Sequence, residues 1–299
     1  MPAYCPSLIL RLSLSPLLFI FPATASAEAY TGLTYGSGPD GYSSYEFRAN
    51  ADLFKLPLTL NFDHFLARSE GVDDTRQTGL GISWQANELI SANYRYSDTN
   101  DGKVKVTGNE GGLSFAMDTL WQGELRTTLD LGYGEFGYKA ANPKTLLAAN
   151  LRLTQSRNSL GISQDISSSF AVYGTHERYK YDKDLSVQRL QSYDLLRIYP
   201  RLASAATTLL SYPDKSNVLG LTWKVTDALS LDISSAKTTT LMEQELKNTR
   251  VGMDYQAGKS LNLGIAVTRS SANAVVNSGV TVLPEMRDTY AEVTLGVTF

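Results

Sequence analysis

Apolar and polar side chains alternate one by one along most of the chain beyond residue 27. At 289–299, Ala291, Val293, Leu295, Val297 and Phe299 alternate with Glu292, Thr294, Gly296 and Thr298. Successive side chains of a strand point to opposite faces, so this period of two predicts a strand with one apolar face. The same period sets Tyr45, Phe47, Ala49, Ala51 and Leu53 against Glu46, Arg48, Asn50 and Asp52. It then sets Leu58, Leu60, Phe62, His64 and Leu66 against Thr59, Asn61 and Asp63. Further runs cover 30–36, 80–84, 90–96, 113–117, 123–138, 145–164, 170–181, 219–225, 229–233, 251–255 and 261–267. Short turns at 54–57, 86–88, 118–122, 226–228 and 257–259 join them at one end, and longer polar tips at 37–41, 71–74, 98–112 and 270–286 at the other.

Two tracts depart from this rhythm. Within 145–164 the parity changes between Leu153 and Leu160, which predicts a β-bulge near 156–158. Residues 182–216 lose alternation, carry apolar side chains at three- and four-residue steps, and contain Pro200. They read as a long loop with one or two helical turns that folds inward, or as an extra hairpin. The count is accordingly 14 strands, or 16 if the hairpin forms.

No stretch beyond residue 27 is apolar over a helix-length span, so a membrane could be crossed only by strands. In hydrocarbon only helices and closed barrels satisfy every backbone N–H and C=O. The fold class is therefore all-β: a transmembrane antiparallel up-and-down β-barrel over residues 28–299. A soluble β-sandwich leaves so many long strands with an unbroken apolar face unexplained.

Residues 1–27 carry Arg11, an apolar run at 14–21 and the small-residue sequence Ala25-Ser26-Ala27. This order predicts a secretory signal peptide cleaved before Glu28. The run is too short for a spanning helix, and Pro16 and Pro22 flank or interrupt it. The one cysteine, Cys5, lies in this segment, so the mature chain has no disulfide and no cysteine metal site. No cofactor or metal is expected. The balance of 27 basic against 30 acidic residues argues against nucleic-acid binding.

The strand that ends on Phe299 in register with its own alternation resembles the C-terminal signal of bacterial outer-membrane β-barrels. The resemblance implies residence in the bacterial outer membrane among its lipids, and recognition of the Phe299 strand by the barrel assembly machinery. A lumen bounded by about 14 strands is too wide to be filled by side chains, so inward residues line water. By parity these include Glu46, Arg48, Asp52, Asp63, Arg95, Arg126, Asp130, Arg152, Asp232, Arg250, Asp254 and Glu292. So many inward charges fit a hydrated passage, because ionised groups buried dry cost several kcal/mol each. The set resembles the charged lining of porins, in which a basic wall faces acidic groups on an infolded loop. That likeness implies a passive diffusion channel for ions and small hydrophilic solutes, with a homotrimer among its assemblies. Arg48, Arg95 and Arg126 stand for the basic wall, and Asp98, Asp101 and Glu110 in the tip at 98–112 for the constriction loop; the tract at 182–216 is the other candidate to narrow the pore.

Other classes remain. A structural barrel plugged by the 182–216 tract is one, and an outer-membrane enzyme another. His64 and His176 are the only histidines, neither has a serine two residues on, and Asp63 and His64, adjacent on a strand, point to opposite faces.

Overall fold

In a computed structural model the chain is described at residues 28–53, 56–70, 72–102, 104–121, 125–141, 152–182, 213–241, 243–277, 280–283 and 285–299. Residues 1–27, where the sequence predicts a signal peptide, and residues 183–212 of the middle tract lie outside these. The first half of the wall is built from β1 (Ala29–Ser37), β2 (Ser43–Asp52), β3 (Leu58–Ser69), β4 (Val72–Gln85), β5 (Ile90–Asn100), β6 (Val104–Ala116) and β7 (Thr127–Ala140). The second half is β8 (Arg152–Asp165), β9 (Phe170–Tyr181), β10 (Pro213–Lys224), β11 (Leu229–Thr240), β12 (Glu245–Ala257), β13 (Leu261–Ala272) and β16 (Met286–Thr298). These 14 strands pair antiparallel with their chain neighbours and form a closed barrel, as the alternation predicts. The two further strands, β14 (Val275–Asn277) and β15 (Val280–Leu283), form a hairpin in the tip between β13 and β16 and not in the wall.

Closure falls between the first and last strands. Tyr30 pairs with Thr298, Leu33 with Leu295 and Ser37 with Ala291, and the Phe299 N–H donates to the Ala29 carbonyl at 2.8 Å. Both termini thus lie at one end, called inner here.

The turns at the inner end are short because side-chain oxygens replace backbone partners. The Asn87 Oδ1 accepts from the Leu89 and Ile90 N–H groups, the Thr226 Oγ1 from Ala228 and Leu229, and the Ser167 Oγ from Ser169 and Phe170. A four-residue helical turn, α1 (Asp118–Trp121), fills the connection before β7.

The exterior carries the apolar face. Leu80, Leu131, Leu219, Ile265 and Val293 all point outward, and Leu219 is 69% exposed. Trp84, Tyr255 and the stacked pair Phe170 and Trp223, whose ring centroids are 5.5 Å apart, mark its inner border. A surface this apolar is stable against hydrocarbon, not water.

Among the described strand residues, outward charges occur only toward the outer end. By strand parity the outward basic ones are Arg68, Arg76, Lys105, Lys139, Arg152, Arg178, Lys180, Lys215, Lys237, Lys247, Arg269 and Arg287, twelve in all. Against them stand four outward carboxylates, Asp74, Asp98, Glu135 and Glu245.

Three expectations are corrected. Residues 98–112 are not a loop: β5 and β6 run through them, paired from Ile90↔Phe115 to Asn100↔Lys105, and only the tight turn after Asn100 remains. Gly102 in that turn has φ +81°, which glycine adopts freely, and its N–H donates to the Asn100 Oδ1. No bulge interrupts β8, whose pairing with β7 is regular from Thr127↔Gln164 to Lys139↔Arg152. The parity holds because Leu153 faces the interior, where it packs with Val104 and Tyr138 and against Val106, Phe136 and Tyr181. Finally, residues 213–216 of the middle tract open β10.

The fold predicts an asymmetry between the two faces of each strand. Ile265→Arg, in the apolar belt, should cost about 2–4 kcal/mol of stability in lipid vesicles. Asn248→Arg, on the lumenal face, should stay within about 0.5 kcal/mol. Urea titration of tryptophan fluorescence in vesicles measures both.

Candidate functional site

Inside the barrel, charged side chains form a belt of three linked groups. The Arg95 guanidinium on β5 makes two hydrogen bonds to the Asp63 carboxylate on β3, at 3.1 and 2.8 Å. It also stands 4.0 Å from Glu110 on β6. Arg157 on β8 reaches Glu110 at 3.3 Å and Glu177 on β9 at 3.5 Å, and its guanidinium lies over the Phe136 ring. The Tyr173 hydroxyl on β9 donates to Asp232 on β11 at 3.1 Å. Arg250 on β12 lies between Asp232 at 3.8 Å and Glu292 on β16 at 3.5 Å. On β2, Arg48 and Glu46 form a bidentate pair at 2.7 and 2.9 Å.

Four of these links skip a strand: β3 to β5 over β4, β6 to β8 over β7, β9 to β11 over β10, and β12 to β16 over β13. At each crossing the skipped strand presents a small inward residue. These are Gly79, Gly134, Gly220 and Ala266. The space is needed. A Cβ at Gly79 would lie 2.3 Å from the Asp63 Oδ1 and 2.7 Å from the Arg95 Nη2, and one at Gly220 would lie 2.1 Å from the Tyr173 ring. Long side chains therefore lie flat along the wall and do not project across the lumen.

Several predicted residues fall on this wall. Arg48, Asp63, Arg95, Glu110 and Arg250 belong to the belt. Asp130 accepts from the Ser114 hydroxyl on the inward side, and Asp254 lines a recess of about 400 Å³ at the inner mouth with Tyr30, Lys224 and Lys259. Glu46, Arg48, Asn61, Asp63 and Arg95 border a second recess of about 480 Å³.

Other placements differ from the expectation. Arg126 is exposed in the inner turn, just before β7. Arg152 is exposed at the outer end of β8 and points outward, because Leu153 and not Arg152 takes the inward position there. Asp98 points outward and pairs with Lys105 at 2.7 Å. Asp101 shapes the β5–β6 turn, its Oδ1 accepting from the Val104 N–H at 2.6 Å. Glu110 is on a strand and not on a loop, so the three do not form an acidic lip facing the arginines.

Arg157, Glu177 and Tyr173 join the belt without having been singled out by sequence. Strict parity carried through β8 would have placed Arg157 inward; the assumed slip at 156–158 hid it. Both histidines face outward: His64 hydrogen-bonds Thr78 at 3.0 Å and His176 hydrogen-bonds Asn217 at 2.8 Å.

No protein-family model and no curated protein matches the sequence. Solved structures do match. The monoaromatic hydrocarbon channel CymD has a TM-score of 0.50 at 10% identity, over 92% of this chain and 88% of its own. OccAB1 of Acinetobacter baumannii has a TM-score of 0.50 at 8% identity, over 92% and 95%. The chain has the fold of an outer-membrane channel. An anion-selective porin from Comamonas acidovorans also aligns, at 11% identity and a TM-score of 0.44, over 92% of this chain and 99% of its own.

The belt of this channel fold is wet. Its side chains retain roughly 20–62% of their exposure, and an ion pair so solvated contributes about 0–1 kcal/mol. Its effect is instead a fixed pattern of charge along a water-facing wall. The crossings give a direct test. Gly79→Ala and Gly220→Ala should each lower stability by about 1–3 kcal/mol by displacing the overlying side chain. Gly137→Ala, whose Cβ would meet Thr107 at an ordinary 3.5 Å, should leave it unchanged within about 0.5 kcal/mol. Denaturant unfolding in detergent micelles compares the three.

Proposed function

We propose that the chain is a passive channel of the bacterial outer membrane for ions and small hydrophilic solutes. The observation that carries this reading is the lumenal belt: alternating charges on strands around the wall, held flat, wet and side by side. A transverse pattern of this kind orients small polar solutes and disfavours apolar ones.

The same wall is acid-rich. Along the middle of the wall Glu46, Asp63, Glu110, Asp130, Glu177, Asp232, Asp254 and Glu292 face inward, eight carboxylates against the four guanidinium groups of Arg48, Arg95, Arg157 and Arg250, and by strand parity Asp73, Asp214 and Asp288 add three more toward the outer end. At the inner mouth Asp52 and Asp165 outnumber Lys224 as well. The channel therefore favours cations, since fixed negative charge raises the local concentration of the opposite sign.

Export by a signal peptide cleaved before Glu28 and assembly through the strand ending in Phe299 belong to the same reading. Intact-mass measurement of the exported protein should begin the chain at Glu28. Crosslinking in membranes would distinguish a homotrimer from a monomer.

The decisive experiment is planar-bilayer recording on refolded residues 28–299. Stepwise current with a cation-directed reversal potential in a salt gradient is expected. Glu110→Gln with Glu177→Gln should move that potential toward anions, Arg95→Gln further toward cations, and Arg126→Gln should leave it in place. Absence of current from a folded, heat-modifiable barrel would favour a plugged or enzymatic one.

A further inference from the structure

We propose that the outer end of the barrel exterior is a docking collar for phosphorylated lipid headgroups. The inference goes beyond transport and rests on the membrane reading alone.

On neighbouring strands the outward column repeats one sequence of tiers. On β10 it runs Leu221, Leu219, Asn217, Lys215, and on β12 Met253, Val251, Thr249, Lys247. β11 repeats it with Ile233, Ser235 and Lys237. Apolar, small polar and basic tiers follow in that order. The four-residue step from Leu219 to Lys215 is about 13 Å along a strand, and a tilt near 40° makes it about 10 Å of height. A rise of that size exceeds the roughly 5–8 Å thickness of one headgroup region, so a column that starts in hydrocarbon reaches the polar headgroups.

Cross-strand pairing points to an anionic occupant. Lys139 stands opposite Arg152, Arg178 opposite Lys215, and Lys237 opposite Lys247. Like charges directly opposite each other destabilise a sheet, yet three such pairs share one face and one end. The carboxylates on this face are fewer than the bases and are shared between them: Glu245 serves Lys237 at 2.6 Å and Lys247 at 3.8 Å, and Asp74 serves Arg68 and Arg76. Arg178, Lys180 and Arg269 have no ion-pair partner among the described residues. Among the described residues the outward strand positions at the inner end carry no charge. A leaflet rich in phosphate on the outer side alone matches this asymmetry, since each lysine or arginine near an anionic lipid surface is attracted to it.

The test compares wild type with the triple variant Lys139→Gln, Lys215→Gln and Lys247→Gln, which removes one member of each like-charged pair. Each is refolded into vesicles of phosphatidylcholine alone and of phosphatidylcholine with bis-phosphorylated lipid A, and unfolding is titrated with urea. In phosphatidylcholine the variant should equal or exceed wild type, because repulsion is relieved. With lipid A the order should reverse, the variant losing about a hundredfold in unfolding equilibrium constant relative to wild type. Equal behaviour of an inserted variant in both lipids, or a loss in both, overturns the collar and leaves the membrane reading standing. Full recovery of the wild-type stabilisation by inorganic phosphate added to phosphatidylcholine vesicles overturns it in favour of a soluble-anion site. Failure of wild type to insert into any vesicle, read by tryptophan quenching from lipid-bound quenchers, overturns the collar together with the membrane reading.

Discussion

A backbone N–H or C=O without a partner is costly in hydrocarbon, so a sheet there has to have no edge. The seam between β1 and β16 removes the last edge, pairing eight residues of each strand from Tyr30↔Thr298 to Ser37↔Ala291. The apolar belt depends on that closure, because only a continuous wall presents apolar side chains to lipid while keeping polar ones inside. The lumen depends on it too: inward charges are tolerable where water reaches them, and a closed wall keeps that water apart from lipid.

Charge in the chain is sorted by radius and height. The sequence as a whole has a formal net charge of −3. Its wall faces the lumen with a carboxylate excess and faces outward, at one end only, with a basic excess. Strand alternation makes the sorting possible, since neighbours such as Glu177 and Arg178 are assigned to opposite environments by a single peptide step. Small residues complete it, letting Arg95, Arg157, Tyr173 and Arg250 reach past an intervening strand to their partners.

Much of this was legible in the sequence because hydrocarbon imposes a strict rule on one face. Wherever the apolar face runs, as at Leu58–Asp63 or Ala291–Val297, the period of two is unbroken and the strand is read correctly. The rule lapses at the outer end. There the outward positions become polar, as at Asp98 and Lys105, so continuous strands resemble a loop. The inward positions also admit apolar groups, as with Val104, Tyr138 and Leu153, so a regular strand resembles a bulged one. The misplacement of Arg152 and the omission of Arg157 follow from that second ambiguity. Which charges touch was not legible at all, because Arg95 and Asp63 sit on strands that are not neighbours and meet only through the gap at Gly79.

The strand-skipping links have a mechanical meaning. Each acts as a strut across two ladders, tying β3 to β5, β6 to β8, β9 to β11 and β12 to β16. At about 0–1 kcal/mol each, the struts hold the spacing of alternate strands and leave the resistance to pulling with the backbone ladders.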